Sequence, residues 1–128
     1  MLDFGAIALA AFPFTDMSGA KRRPVLVISR DNDRRADGVA CFITSVPCTG
    51  PDMVSLDPAP GTGLKVRSTV RFDKLATLEK SVFTGRLGDA PPDWLAAQKS
   101  TFFGVFGFER RGPPPRLPLL RNPLCRPA

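Results

Sequence analysis

The stretch GLKVRSTVRFDKLATLEKSVFTGRLGDAPPDWLAAQKSTFFGVF, Gly63 to Phe106, changes its hydrophobic period partway along. As far as Gly88 it carries short β-branched and aromatic runs with a period of two, the mark of strands with one face inward. Beyond residue 89, Trp94, Leu95, Gln98, Phe102, Val105 and Phe106 recur at three- and four-residue spacings, which places them on one face of a helix. Asp89, ahead of Pro91 and Pro92, suits the helix start, where a carboxylate accepts orphan N–H groups and proline loses no bond. Gly104 and Gly107 fray the other end. The Trp and Phe stripe is expected to seal the open side of a sheet rather than to hold a ligand.

Working back toward the N-terminus, the same alternation gives strands at Ala6 to Phe12, Pro24 to Ser29, Val39 to Ser45 and Met53 to Leu56, followed by Val66 to Phe72 and Ser81 to Arg86. Gly, Pro and Asp punctuate them. The connections PFTDMSGAKRR (13–23), RDNDRRADG (30–38) and DPAPGTG (57–63) are longer than tight hairpins, and loops of that kind tend to carry function. Six short strands and a terminal helix predict a mainly β (α+β) domain, a small antiparallel barrel or sandwich.

A chain of 128 residues has room for one domain. No apolar run approaches the ~18–20 residues that span a bilayer, so no membrane association is expected. GAIALAAF (5–12) follows Asp3 without a cationic leader, which makes the cytoplasm the expected location. Three cysteines without paired spacing agree with a reducing compartment. The net charge of +6 is unevenly spread: residues 109–128 hold five arginines against one acid, whereas residues 1–108 hold thirteen cations against eleven acids. Six of the 14 prolines also lie in that tail. Residues 1–108 are therefore expected to form the domain and 109–128 an extended, disordered Pro/Arg-rich tail.

Histidine is absent, which excludes Ser-His and Cys-His catalytic pairs, two-histidine ribonuclease chemistry and most zinc sites. Cys41 and Cys48 lack a CxxC partner and read as inert thiols. The Asp31–Asp33–Asp37 stretch has Arg35 and Ala36 where a calcium loop needs an oxygen ligand and a glycine. No metal or cofactor is expected. What remains at strand ends is Arg23, Thr44, Ser45, Arg71 and Asp73, a set suited to phosphate chemistry. Guanidinium groups clamp phosphate oxygens and stabilise the charge of a phosphorane, hydroxyls orient the scissile group, and RNA brings its own 2′-OH nucleophile. Two basic clusters, Lys21 to Arg35 and Lys65 to Lys74, would make a phosphate-binding patch if the fold brings them together.

FGAIALAAFPFTDMSGAKRRPVLVIS (4–29), ACFITS (40–45) and GLKVRSTVRFDKLATLEKSVFTGRLG (63–88) together resemble the MazF/PemK/Kid toxins of toxin–antitoxin systems. The resemblance spans about residues 4–106. Four segments stand in the family's order: the GxI strand with FPFTD, the R-P strand at Arg23 and Pro24, the I-T-S segment at Thr44, and V-R-x-D-K-L from Val70 to Leu75. It implies a compact SH3-like antiparallel β-barrel with a C-terminal helix, a homodimer, and a cognate acidic antitoxin. It also implies metal-independent, sequence-specific cleavage of single-stranded RNA to a 2′,3′-cyclic phosphate and a 5′-OH. Two departures stand out: the assisting histidine of Kid-type loops is missing, and Ala6 replaces a common acidic residue.

The resemblance assigns Arg23, Thr44, Arg71 and Asp73 to catalysis. Arginine is a poor proton shuttle, so Arg23 and Arg71 are expected to hold and stabilise the phosphate. Asp73 is the candidate base, weak unless burial raises its pKa; the alternative is a structural ion pair with Arg71, two residues away on the same strand. Thr44 is also a common strand residue. Phe14, Thr15, Lys21, Arg22, Ser45 and Arg67 are candidate RNA contacts, with Phe14 placed to stack a base or to pack the loop root. Alternative readings are a noncatalytic module on the same barrel, acting on a protein target as CcdB does, and a degenerate, inactive toxin.

Overall fold

The computed structural model describes residues 3–11, 22–31 and 34–108. Phe12, the loop residues Phe14, Thr15 and Lys21, and the Pro/Arg-rich tail fall outside that set. Six strands form one sheet: β1 (Ala6–Ala10), β2 (Arg23–Val27), β3 (Asp37–Thr44), β4 (Met53–Leu56), β5 (Ser68–Glu79) and β6 (Phe83–Asp89). The order across the sheet is β4-β5-β3-β2-β1-β6, and every neighbouring pair is antiparallel. Two helices follow, α1 (Pro92–Ala97) and α2 (Lys99–Val105). Among the described residues no helix is long and apolar enough to cross a membrane.

Alternation along the strands makes two buried faces. One gathers small residues, Ala6, Ala8, Ala10 and Ala40 with Val25, Val27, Phe42 and Leu78. The other gathers Ile7, Leu26, Cys41, Ile43, Val70 and Phe72, and receives Trp94, Leu95, Phe102 and Val105 from the helices. Most of the stripe thus covers the sheet as its spacing predicts, whereas Phe106, just past the end of α2, stays 48% exposed. The Phe102 ring meets Phe72 edge-on at 5.8 Å, and the Trp94 indole N–H donates to the Ser55 carbonyl at 2.9 Å. An apolar cavity of about 590 Å³ remains between Phe4, Ile28, Leu95 and Phe102.

Three features differ from the expectation. The helix is broken at Gln98, which ends α1 and begins α2 with φ −95° and ψ 5°. Asp89 does not cap it. Proline drives the residue before it into extended geometry, so Pro91, with φ −61° and ψ 137°, becomes the cap ahead of Pro92. Asp89 instead ends β6 and accepts from Arg86 Nη2 at 2.6 Å. Finally, β5 continues well past Phe72. Phe42 pairs with Arg71 while the adjacent Cys41 pairs with Leu75, so residues 72–74 bulge out of the ladder and break the two-residue period there.

The sheet is not closed, since β4 and β6 are its edges. The loop at 57–67 crosses the gap instead, with the Asp89 N–H donating to the Gly61 carbonyl at 2.8 Å. Gly88 lies so close to the Gly61 carbonyl that a Cβ there would overlap it, and Gly63, at φ +74°, lies equally close to the Leu87 carbonyl. Thr62 is fully buried; its hydroxyl donates to the Ala59 carbonyl at 2.8 Å and accepts the Leu64 N–H at 3.2 Å. That pinned loop forms one wall of the site.

Candidate active site

Arg23 opens β2 and Thr44 closes β3. The two strands pair antiparallel with Val25 opposite Phe42, so two further residues along each chain bring Arg23 beside Thr44. Both line a cavity of about 360 Å³ at this end of the sheet, together with Ser45, Leu9 and, from the pinned loop, Lys65. The two charged residues in the lining are cations. Neither Arg23 nor Lys65 hydrogen-bonds or ion-pairs through its side chain among the described residues, so both heads are available to an anion. The Thr44 hydroxyl accepts the Val46 N–H at 3.1 Å. That turn orients the oxygen and leaves its proton free to donate.

Arg71 lies in the adjacent row. It faces Phe42 across the β3–β5 ladder, whereas Thr69, two residues earlier, faces Thr44. Alternation puts Arg71 on the same sheet face as Thr44, roughly 7–8 Å away on the diagonal. It does not line the cavity. Its guanidinium forks onto Asp73 instead, with Nε to Oδ1 at 3.2 Å and Nη2 to Oδ2 at 2.7 Å. The sheet thus brings Arg23, Thr44, Ser45 and Lys65 into one cavity and leaves the Arg71–Asp73 pair beside it.

The same fork bears on whether Asp73 can serve as a base. The Arg71 hydrogen bonds hold the Asp73 carboxyl below its ordinary value of 3.8, outweighing the opposing effect of burial. The condition for a working base, burial raising that pKa, is not met. Because the folded pKa is depressed, the pair stabilises the protein above the ordinary carboxylate range and that stability is lost as pH falls through the lowered folded value. Asp73→Asn is therefore expected to destabilise by ~0.2–1 kcal/mol at pH 7, a difference that closes below about pH 4 in thermal melts. The pH–rate profile should show no limb owed to Asp73 between about pH 5 and 8; a limb there that vanishes in Asp73→Asn would make it the base after all.

The remaining candidates are placed as follows. Arg22 donates from Nη1 to the Thr84 hydroxyl at 3.3 Å, on β6. Arg67 turns outward, with Nη2 3.2 Å from the Ser55 hydroxyl and Nε 3.5 Å from Asp57. Phe14, Thr15 and Lys21 lie outside the described residues. Cys41 is buried, and burial followed by the nearby Asp73 charge pushes its thiol pKa far up, so it is inert. Lys65 was not singled out from its cluster by sequence; charge density marked residues 65–74 as a group, and the loop conformation chooses Lys65 over Arg67.

The family model for PemK-like, MazF-like toxins of type II toxin–antitoxin systems matches residues 3–102. A Mycolicibacterium smegmatis protein named probable endoribonuclease MazF is 34% identical over 96 residues, covering 68% of this chain and 84% of its own. The crystal structure of MazF from Deinococcus radiodurans superposes with a TM-score of 0.66 at 30% identity, covering 82% of this chain and 96% of its own. A crystal form of the Deinococcus radiodurans MazE–MazF complex matches with the same TM-score and identity over 84% of this chain and 97% of that one. With a family model over most of the chain and a relative at this identity over most of both chains, the chain belongs to the PemK-like, MazF-like toxins of type II toxin–antitoxin systems, a family of endoribonucleases.

Proposed function

We propose that this toxin cleaves single-stranded RNA at the cavity formed by Arg23 and Thr44, that it works as a cytoplasmic homodimer, and that an acidic antitoxin silences it by occupying the same cationic ground. The observation that carries this reading is the convergence of Arg23, Thr44 and Lys65 on one cavity whose charged lining is wholly cationic. A scissile phosphate held by Arg23 and by the Thr44 hydroxyl is attacked by the neighbouring ribose 2′-oxygen. A bond forms from that oxygen to phosphorus and the bond from phosphorus to O5′ breaks. The 2′-OH proton passes to solvent and O5′ takes one up, so the products are a 2′,3′-cyclic phosphate and a 5′-OH. Arg23 stabilises the extra charge of the phosphorane. Arg71, aimed by Asp73, adds positive potential from the next row; Asp73 serves as a fixed anion rather than a base.

The MazE–MazF complex supports the antitoxin element, because that Deinococcus radiodurans toxin, at 30% identity, is seen with its MazE partner. The test is to map cleavage ends on a long, defined single-stranded RNA with and without EDTA. Cuts at a short recurring sequence, with 5′-OH ends and unchanged by chelator, are expected. RNA left intact by protein that still binds its antitoxin would remove the nuclease reading.

A further inference from the structure

Beside Arg23 and Thr44 the cavity has a second character. Val46 and Val66 are large apolar side chains left 66% and 54% exposed, and both line it, Val46 from the turn after β3 and Val66 from the pinned loop. Solitary exposed valines need no explanation, but two on the rim of one cavity, flanking a lysine that has no side-chain partner among the described residues, make an apolar slot with a cationic end. At about 360 Å³ the space is near the small end of ligand pockets, of order 300–1,000 Å³, and suits a single nucleotide. We infer that this slot is a nucleotide subsite in which Lys65 binds a backbone phosphate while Val46 and Val66 grip the face of the attached base. This deepens the nuclease reading and rests on it.

The loop is built to hold such a position. Thr62 is buried and bonded at both ends of its turn, Leu64 packs into the large core, and Gly61 accepts from the Asp89 N–H. Lys65 and Val66 are therefore presented without a large ordering cost on binding. Arg67, two residues after Lys65, is tied to Asp57 and Ser55 instead.

A pool of mixed-sequence, single-stranded 2′-fluoro RNA, which has no 2′-OH to attack, reads the subsite apart from chemistry. Lys65→Ala should weaken Kd about tenfold near 0.1 M salt and flatten the slope of log K against log[salt] by ~0.7, one phosphate's worth on a single strand. Lys65→Arg should restore both, and Lys99→Ala, which removes an equal charge from α2, should match the parent. The double variant Val46→Ser, Val66→Ser should keep the salt slope yet even out the base frequencies at one position of the bound pool. Lys65→Ala binding with the parent's Kd and slope would overturn the phosphate role; an unaltered base preference in the valine double variant would overturn the base slot. A parent that binds the pool in this way but leaves all-ribose RNA uncut would sink the nuclease reading and leave the subsite standing.

Discussion

Arg23→Ala is expected to lower the single-turnover rate of RNA cleavage by about 10²–10³-fold, with the fold retained. The guanidinium lines the cavity that Thr44 also lines and has no protein partner among the described residues, so its removal takes away a preorganised charge where the proposed phosphorane would form. Its backbone pairing with Ala10 survives the change, and a side chain without partners contributes little to stability, so melting should move by the equivalent of no more than ~0.5 kcal/mol. Arg23→Lys should recover only part of the rate, because an ammonium cannot make the paired, planar contacts of a guanidinium. Measured rates and thermal melts on the same preparations separate the explanations. Full cleavage activity in folded Arg23→Ala would refute the assigned role, and growth arrest that persists while cleavage is lost would point to a protein target.

Gly63→Ala should have the largest effect on stability, a loss of about 3 kcal/mol, or roughly 10–20 °C in melting temperature. Two penalties coincide at this position. The residue sits at φ +74°, a conformation that side chains rarely adopt, and an added Cβ would overlap the Leu87 carbonyl oxygen and crowd the Leu87 Cβ at 2.8 Å. The obstacle is strand backbone, which cannot rotate aside. Relief requires lifting the loop from β6, and that would carry Lys65 and Val66 away from Arg23, so surviving folded protein should also bind RNA less tightly. Gly85→Ala is the matched control: it lies on the same strand as Leu87, and a Cβ there meets open space. Equal melting temperatures for Gly63→Ala and Gly85→Ala would show that the loop is not pinned as described.

Strand identity was readable from the alternating pattern because burial on a pleated sheet repeats every two residues, and each of the six strands overlaps a run that period marked, although β5 runs on to Glu79 and β6 is Phe83–Asp89 rather than Ser81 to Arg86. The pattern failed where the sheet itself is irregular. Residues 72–74 bulge between Arg71 and Leu75, so the second half of β5 is out of phase with the first and does not read as one strand. The helical stripe was equally legible, but the break at Gln98 was not, since no glycine or proline marks it. At the site, Arg23 and Thr44 were named from motifs that resemble the family's, and the ion pair of Arg71 with Asp73 was among the readings that their spacing allowed. The choice between base and ion pair was beyond reach, because it depends on a pKa set by bidentate geometry and burial.

From the order of its residues alone, this chain dictated a mainly β domain with a helical cover, the absence of histidine chemistry, and a set of guanidinium and hydroxyl groups suited to phosphate. Those properties follow from local rules: hydrophobic period, side-chain functional groups, and motif spacing. Three-dimensional packing settled which cations share a cavity. Lys65 and Arg67 are indistinguishable as charges two residues apart, yet Thr62, Gly63 and Gly88 lock the loop so that one lines the cavity with Arg23 and the other lies against Asp57. A loop's direction is set by what its backbone presses against, and for this loop that contact is β6, more than twenty residues farther along the chain.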